Sequence, residues 1–157
     1  MAEVDRLLRQ FFGEPPRPRD LDPLGLLIRT ILSQNTSDRN RDLAYENLRA
    51  RFPAWEDLLK AEEEEVAEAI RPAGLYRERA KTIRAVLERI KRERGDFALD
   101  FLKELPPKDA EGWLLSLPGV GKKTAYVALL FGFGLEKFPV DTHIRRVTQR
   151  LDFWDGK

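Results

Sequence analysis

Leu117-Pro118-Gly119-Val120-Gly121-Lys122-Lys123-Thr124-Ala125 decides how the rest of this chain is read. Two glycines flank one apolar residue, which permits a tight backbone turn with few side chains in the way. Pro118 stiffens the approach, and Val120 can turn inward and pin the turn to a core. The amides of the turn and of the following helix start then face solvent together, a geometry that binds phosphate through N–H groups and the helix dipole. Lys122 and Lys123 fall in the first turn of that helix. Cations there have the wrong sign for the dipole and cost a few tenths to about 1 kcal/mol; a phosphate nearby removes the objection. The plainer alternative is an ordinary turn between helices carrying two exposed lysines.

Outward from this hairpin the pattern is helical. Asp109 is placed to start a helix carrying Trp113, Leu114 and Leu115, after a break at Pro106 and Pro107. Lys122 begins another that runs to about Phe133, and Asp141 starts the last one. Upstream, Val4, Leu7, Leu8, Phe11 and Phe12 form a stripe at helical spacing, and Pro15, Pro16 and Pro18 then break the chain. Asp22-Pro23 reads as a helix start, with the carboxylate as cap and proline in the first turn. The segment through Leu24, Leu27, Ile28 and Ile31 is almost wholly apolar and should be central. Ser37 or Asp38 can cap the next helix, with Leu43, Tyr45 and Leu48 facing inward. Trp55, Leu58 and Leu59 open a short element, and Val66, Ala69 and Ile70 follow the acidic run Glu62 to Glu65. The loop Pro72-Ala73-Gly74-Leu75 precedes a long helix carrying Ala80, Ile83, Val86, Leu87 and Ile90, which Gly95 should end. With no strand, repeat or low-complexity segment, the reading is an all-α protein of roughly nine or ten short helices.

Composition narrows the classes. The chain of 157 residues is long enough for one domain or two small lobes, and buries roughly 70% of its unfolded surface without disulfides. It has no cysteine, so residues 1–157 contain no thiolate nucleophile, zinc-thiolate site or iron–sulfur ligand. No apolar run approaches the roughly 20 residues of a membrane span, and MAEVDRLLRQFF lacks the pattern of a signal peptide; a cytoplasmic protein is expected. Net charge is only +1, but Arg71 to Arg94 holds nine basic and three acidic residues, and Leu117 to Lys157 seven and four. A phosphate-binding surface needs such local excess; taken alone, the excess reads as a solvated helix face.

Two residues carry chemical promise. Lysine near its ordinary pKa is a poor nucleophile. At Lys123, a helix N-terminus, the neighbouring Lys122 and partial burial would all favour the neutral amine, which can attack a sugar carbon and form a Schiff base. Asp141, in Phe138-Pro139-Val140-Asp141-Thr142-His143-Ile144-Arg145-Arg146-Val147, is placed as an N-cap, and a cap holds its carboxylate rigidly. His143 is the only histidine and reads as a packing residue at the helix start. No metal site is expected, since no second histidine or cysteine joins it.

Together, LPGVGKKTA at 117–125 and VDTHIRRV at 140–147 resemble the helix-hairpin-helix base-excision DNA glycosylases, and specifically the endonuclease III family. ILSQNTSD at 31–38 resembles that family's helix-end segment that enters the DNA, and AGLYRERAKTI at 73–83 its wedge loop and following helix. The resemblance spans about residues 20–152 with every motif in order. It implies two helical lobes with a DNA cleft between them: residues 20–135 as a barrel-like lobe containing the hairpin (109–133), and 1–19 with 136–157 as parts of a second lobe. It also implies Lys123 as nucleophile, Asp141 as essential acid, and hairpin backbone around Leu117, Gly119, Val120 and Gly121, with Lys122, on a DNA phosphate. Gln34 or Asn35 would fill the gap left by an extruded base, and Leu75 would wedge the opposite strand.

The implied function is a DNA glycosylase and AP lyase acting, as a monomer at the nucleoid, on double-stranded DNA with oxidised pyrimidines or abasic sites. Two rivals remain: a monofunctional adenine or thymine mismatch glycosylase, whose kind carries a non-lysine residue where this chain has Lys123, and a non-catalytic hairpin module, which would lack VDTHI. The family usually continues into further helices and a four-cysteine 4Fe-4S site. That cluster would require residues beyond 157, so the chain is either truncated or from a cluster-free branch. Phe11 and Phe12, without an obvious partner, favour truncation.

Overall fold

Asp22 and Pro23 start the central helix as the sequence predicts: the Asp22 carboxylate accepts from the Gly25 amide at 2.8 Å, and proline occupies the first turn. The computed structural model describes residues 2–14 and 22–153, and among these the regular structure is entirely helical. The break expected at Pro15, Pro16 and Pro18 lies outside the described residues. The α-helices are α1 (Ala2–Phe12), α2 (Pro23–Leu32), α3 (Asp38–Arg51), α4 (Trp55–Lys60), α5 (Glu63–Ala69), α6 (Tyr76–Arg94), α7 (Pro107–Leu115), α8 (Lys122–Val127) and α9 (Thr142–Arg150). Short 3₁₀ turns at Arg71–Ala73 and Asp100–Lys103 and a π turn at Ala128–Gly132 complete the set.

α2 runs through the middle, touching α3, α6, α8 and the π turn. Leu27, Ile28 and Leu32 are wholly excluded from solvent, each worth about 1.5–3 kcal/mol relative to exposure. α6 lays Ala80, Ile83, Val86, Leu87 and Ile90 against the same core and ends at Gly95, whose φ of 80° is the left-handed cap expected there. Ser37 caps α3 by accepting from the Asn40 amide at 3.3 Å. The buried apolar residues among those described all lie between Leu24 and Leu129. α1 and α9 contribute none; Val4, Leu7, Leu8, Phe11 and Phe12 instead line an apolar groove with Val147 and Leu151, leaving Phe11 82% and Phe12 76% exposed.

Four expectations change. Leu43 is exposed rather than inward, because α3 buries the stripe through Ala44 and Leu48, which is turned roughly 100° or more round the helix from Leu43. α7 starts at Pro107 rather than Asp109; proline suits the first turn, and Asp109 still sits within it, where its charge complements the dipole. The helix from Lys122 does not run regularly to Phe133, since it widens into the π turn, where Gly134 and Leu135 donate to Leu130 and Leu129. The wider turn keeps Ala128 and Leu129 in the core while Gly132 passes against Pro23.

Finally, much of the basic stretch from Arg71 to Arg94 is paired rather than freely solvated. Arg77 pairs with Glu64, Arg89 with Glu93 and Lys91 with Glu56. Arg84 turns to the Leu58, Leu59 and Ala61 carbonyls at the end of α4, and Arg94 stacks 4.0 Å over Phe101. Arg77, Arg84, Lys91 and Arg94 thus hold the helix to its neighbours, while the Arg89–Glu93 pair lies within α6.

Candidate active site

The turn before α8 forms as its sequence dictates. Gly119 has φ 71°, and a Cβ built there would come within 2.5 Å of the Thr82 methyl on α6, so both conformation and space require glycine. Val120 is buried and its amide donates to the Leu117 carbonyl. Leu117 is buried too, and its own amide donates to the Leu114 carbonyl. The amides open to an anion therefore narrow from the expected set to those of Gly119, Gly121 and the first turn of α8. Gly121 has an ordinary φ of −93°, and a Cβ there would meet only open space. Thr124 and Ala125 tie α8 to the core, which turns Lys122 and Lys123 outward.

Lys123 Nζ lies 3.5 Å from Asp141 Oδ2. Its side chain is 48% exposed, so it is only half covered. Asp141 caps α9 as predicted: Oδ1 accepts from the His143 and Ile144 amides at 3.0 and 2.9 Å. These two bonds leave Oδ2 for the lysine. The Ile144 amide is the largest cause holding the Asp141 carboxyl below its ordinary range, and the charge of Lys123 adds to it against partial burial. His143 is exposed rather than packed, because its neighbour Ile144 takes the inward position.

The segment leading to Asp141 is anchored to the hairpin by a cluster the sequence reading missed. The Lys137 ammonium donates to one oxygen of Glu111 on α7, and the Tyr126 hydroxyl on α8 donates to the other at 3.0 Å. Lys137 lies 5.2 Å from the Tyr126 ring centroid. The three side chains join α7, α8 and the extended strand of chain before α9, which fixes where Asp141 stands relative to Lys123.

Opposite this pair is the turn after α2. Gln34 folds back so that its side-chain amide donates to the Gly119 carbonyl at 3.4 Å. Asn35 has φ 51°, and Leu75, at the start of α6, has φ 47° and is 60% exposed. Left-handed backbone at non-glycine residues costs about 1–3 kcal/mol each and persists only where surroundings enforce it. Asparagine tolerates that region better than leucine. Both segments are gripped by Arg79, whose guanidinium is buried on α6 and donates to the carbonyls of Leu32, Gln34 and Ala73. Burial without a carboxylate partner lowers the Arg79 pKa. Its spacing held the signal, since Arg79, Ile83, Val86 and Ile90 share one helical stripe, and a cation on an apolar stripe needs a buried acceptor.

Between these elements lies a polar cavity of about 700 Å³, with Ser33, Gln34 and Asn35 on one side and Lys123, Asp141 and His143 on the other. Asp38 and Arg41 of α3 also line it. Arg41 is held by Asp38 at 2.5 Å and by Asp42 at 2.8 Å, and Asp42 in turn accepts from Arg29. The structure thus brings Lys123, Asp141, Gln34 and Asn35 to one cavity, whereas Leu75 stands outside it on the neighbouring loop. Among the described residues no group of three or more His, Cys, Asp or Glu could hold a metal ion, and the 4Fe-4S site that the resemblance implies has no ligands in this cysteine-free sequence.

A hairpin between helices, with a capping aspartate and a lysine side by side at the wall of a polar cavity, defines a class of DNA-repair folds, and the chain belongs to it: residues 28–157 match the family described as "HhH-GPD superfamily base excision DNA repair protein". Within that superfamily several of its relatives are endonuclease III proteins. It is 34% identical to endonuclease III of Thermotoga maritima over 94% of this chain and 66% of that one, and 31% identical to endonuclease III of Rickettsia conorii over 98% and 70%. Its fold matches a structure described as a trapped endonuclease III–DNA covalent intermediate with a TM-score of 0.80, at 28% identity, over 96% of this chain and 67% of that one. Several of the curated relatives are longer, and the chain spans 43% to 66% of the length of the first three it matches.

Proposed function

We propose that this chain carries the catalytic centre of a base-excision DNA glycosylase with AP lyase activity, acting as a monomer on double-stranded DNA that contains oxidised pyrimidines or abasic sites. The observation that carries the reading is the 3.5 Å approach of Lys123 Nζ to Asp141 Oδ2 at the wall of the cavity. A base stacked inside a duplex is out of reach of this pair, so the nucleotide must be extruded at a cost of a few kcal/mol. The duplex runs between the lobe of residues 20–135 and the flanking segments 1–19 and 136–157. The amides of Gly119, Gly121, Lys122 and Lys123 hold a backbone phosphate at the helix start. Asn35 fills the vacated stack, since Gln34 is already committed to Gly119, and Leu75 wedges the opposite strand.

In the chemical step Asp141 accepts a proton from the Lys123 ammonium. The freed amine attacks the sugar C1′. The glycosidic bond breaks with its electron pair leaving on the base, which is protonated as it departs. The sugar ring then opens to an iminium. Loss of a C2′ proton expels the 3′-phosphate by β-elimination, and water releases the amine. Asp141 passes the proton it took to the departing base, and the carboxylate so restored stabilises positive charge on the sugar.

The test is borohydride reduction during incubation with duplex DNA bearing an abasic site. A covalent protein–DNA complex should form and should vanish in Lys123→Ala. Intact, folded protein that yields no complex overturns the lyase reading, and retained DNA binding without the complex would leave a hairpin module that binds but does not react.

A further inference from the structure

The role of Arg79 is set by what it joins. Its guanidinium donates to the Leu32 and Gln34 carbonyls at the end of α2 and to the Ala73 carbonyl in the turn before Leu75. Gln34 directly precedes Asn35, and Ala73 lies two residues before Leu75. Asn35 and Leu75 are two of the three non-glycine residues with positive φ among those described. Two strained turns, distant in sequence, are therefore fastened to one side chain.

The arrangement is more than a satisfied buried cation. The acceptors are carbonyls at the end of α2 and of the 3₁₀ turn Arg71–Ala73, where the negative ends of the backbone dipoles collect. A guanidinium presents several donors in a rigid plane, so it can hold two segments at a fixed separation, which a lysine's single ammonium on a flexible stem does less well. Strained turns stay in place only when the surroundings over-determine them. Arg79 supplies that constraint to both turns at once.

We infer that Arg79 is a positioning residue that locks the Gln34–Asn35 turn to the Leu75 turn, so that the two enter a duplex as one rigid unit. Arg79 itself is buried and touches no DNA. The inference rests on the proposed function in one respect: it takes Asn35 and Leu75 as the residues that probe the duplex.

The test is read in binding, without chemistry. The duplex carries a tetrahydrofuran abasic analogue, with 2-aminopurine on the opposite strand at the position facing it. Binding of the unaltered chain should unstack that base and raise its fluorescence. Arg79→Met, which keeps length and loses the donors, should weaken binding at least about tenfold and abolish most of the fluorescence rise even at saturating protein. Arg79→Lys should recover part of both signals. A saturated Arg79→Met complex with the full fluorescence rise overturns the inference.

Should Arg79→Met fail to fold, a cycle of Asn35→Ala and Leu75→Ala in the otherwise unaltered chain decides the matter. Turns locked together should give effects on binding that depart from additivity by at least about threefold, and independent effects within twofold overturn the coupling. Borohydride trapping by the unaltered chain is the separate control for the proposed function. Its failure beside normal unstacking would sink the lyase and leave Arg79's role intact, whereas trapping with uncoupled probes would do the reverse.

Discussion

The Thr82 methyl occupies the place where a side chain on Gly119 would begin, 2.5 Å from an added Cβ. The contact joins α6 to the hairpin, so the long helix sets the position of the hairpin amides. Gly119→Ala should lose about 1–2 kcal/mol from left-handed strain alone, plus the cost of displacing Thr82. Thr82→Ala in the same chain should restore only the second part. Denaturant unfolding of the two single variants and the double variant measures the split; full recovery in the double variant would show that the backbone angle carries no cost.

Asp141 serves two purposes that one substitution separates. Asparagine caps a helix about as well as aspartate, so Asp141→Asn should cost under about 1 kcal/mol at neutral pH, chiefly the lost charge–dipole attraction. Activity should fall about 100-fold or more, because the acceptor for the lysine proton is gone. The folded carboxyl titrates below its ordinary value. Its contribution to stability is therefore complete above about pH 4 and disappears as pH falls through the lowered pKa. The stability gap between the two proteins should close below pH 4, which acid titrations followed by circular dichroism would reveal.

Salt dependence of DNA binding distinguishes two kinds of cation in this chain. Lys122, beside the hairpin, should lower the salt slope by about 1 when changed to alanine. Arg84, bound to the α4 carbonyls, should leave the slope unchanged when replaced by methionine, while stability falls by about 1–3 kcal/mol. A slope that moved with Arg84 would return the basic stretch of α6 to the DNA surface.

Lys137 and Glu111 fix the approach to Asp141, so removing either should lower activity without touching the reacting groups. Lys137→Met should slow borohydride trapping several-fold and lower the melting temperature. The Glu111 carboxyl sits below its usual range, first through Lys137 and then through Tyr126. The stability it lends is thus present above about pH 4.5 and lost as pH falls through its lowered value. In Lys137→Met that acid sensitivity should weaken, and an unchanged profile would mean the pair contributes nothing.

Much of the fold was legible because local chemistry and global packing agree. Asp22-Pro23, Ser37, Gly95 and Asp141 each mark an element end that the structure keeps. The apolar spacing of α6 selected its buried face correctly. Where the reading failed, tertiary partners decided. Leu43 looked inward until Ala44 and Leu48 claimed that side of α3. Arg79 and Arg84 looked like solvent-facing cations because charge counts cannot show a carbonyl waiting on another helix. That Lys123 and Asp141 were worth singling out could be read from hairpin and cap chemistry, and the structure brings the two together at one cavity. The Glu111, Tyr126 and Lys137 cluster could not, since its members share no spacing and meet only after three segments have packed.

Gly121 carries the last consequence. Its backbone would suit any residue and its vacant side faces open solvent, so glycine there answers to no demand of the fold. Position 121 is therefore a ready-made gauge of clearance: serine, which also caps helices well, should fold unchanged and yet be squeezed by whatever presses against that face. Grafting side chains of graded bulk there would measure, in lost affinity per added atom, how closely the nucleic acid docks.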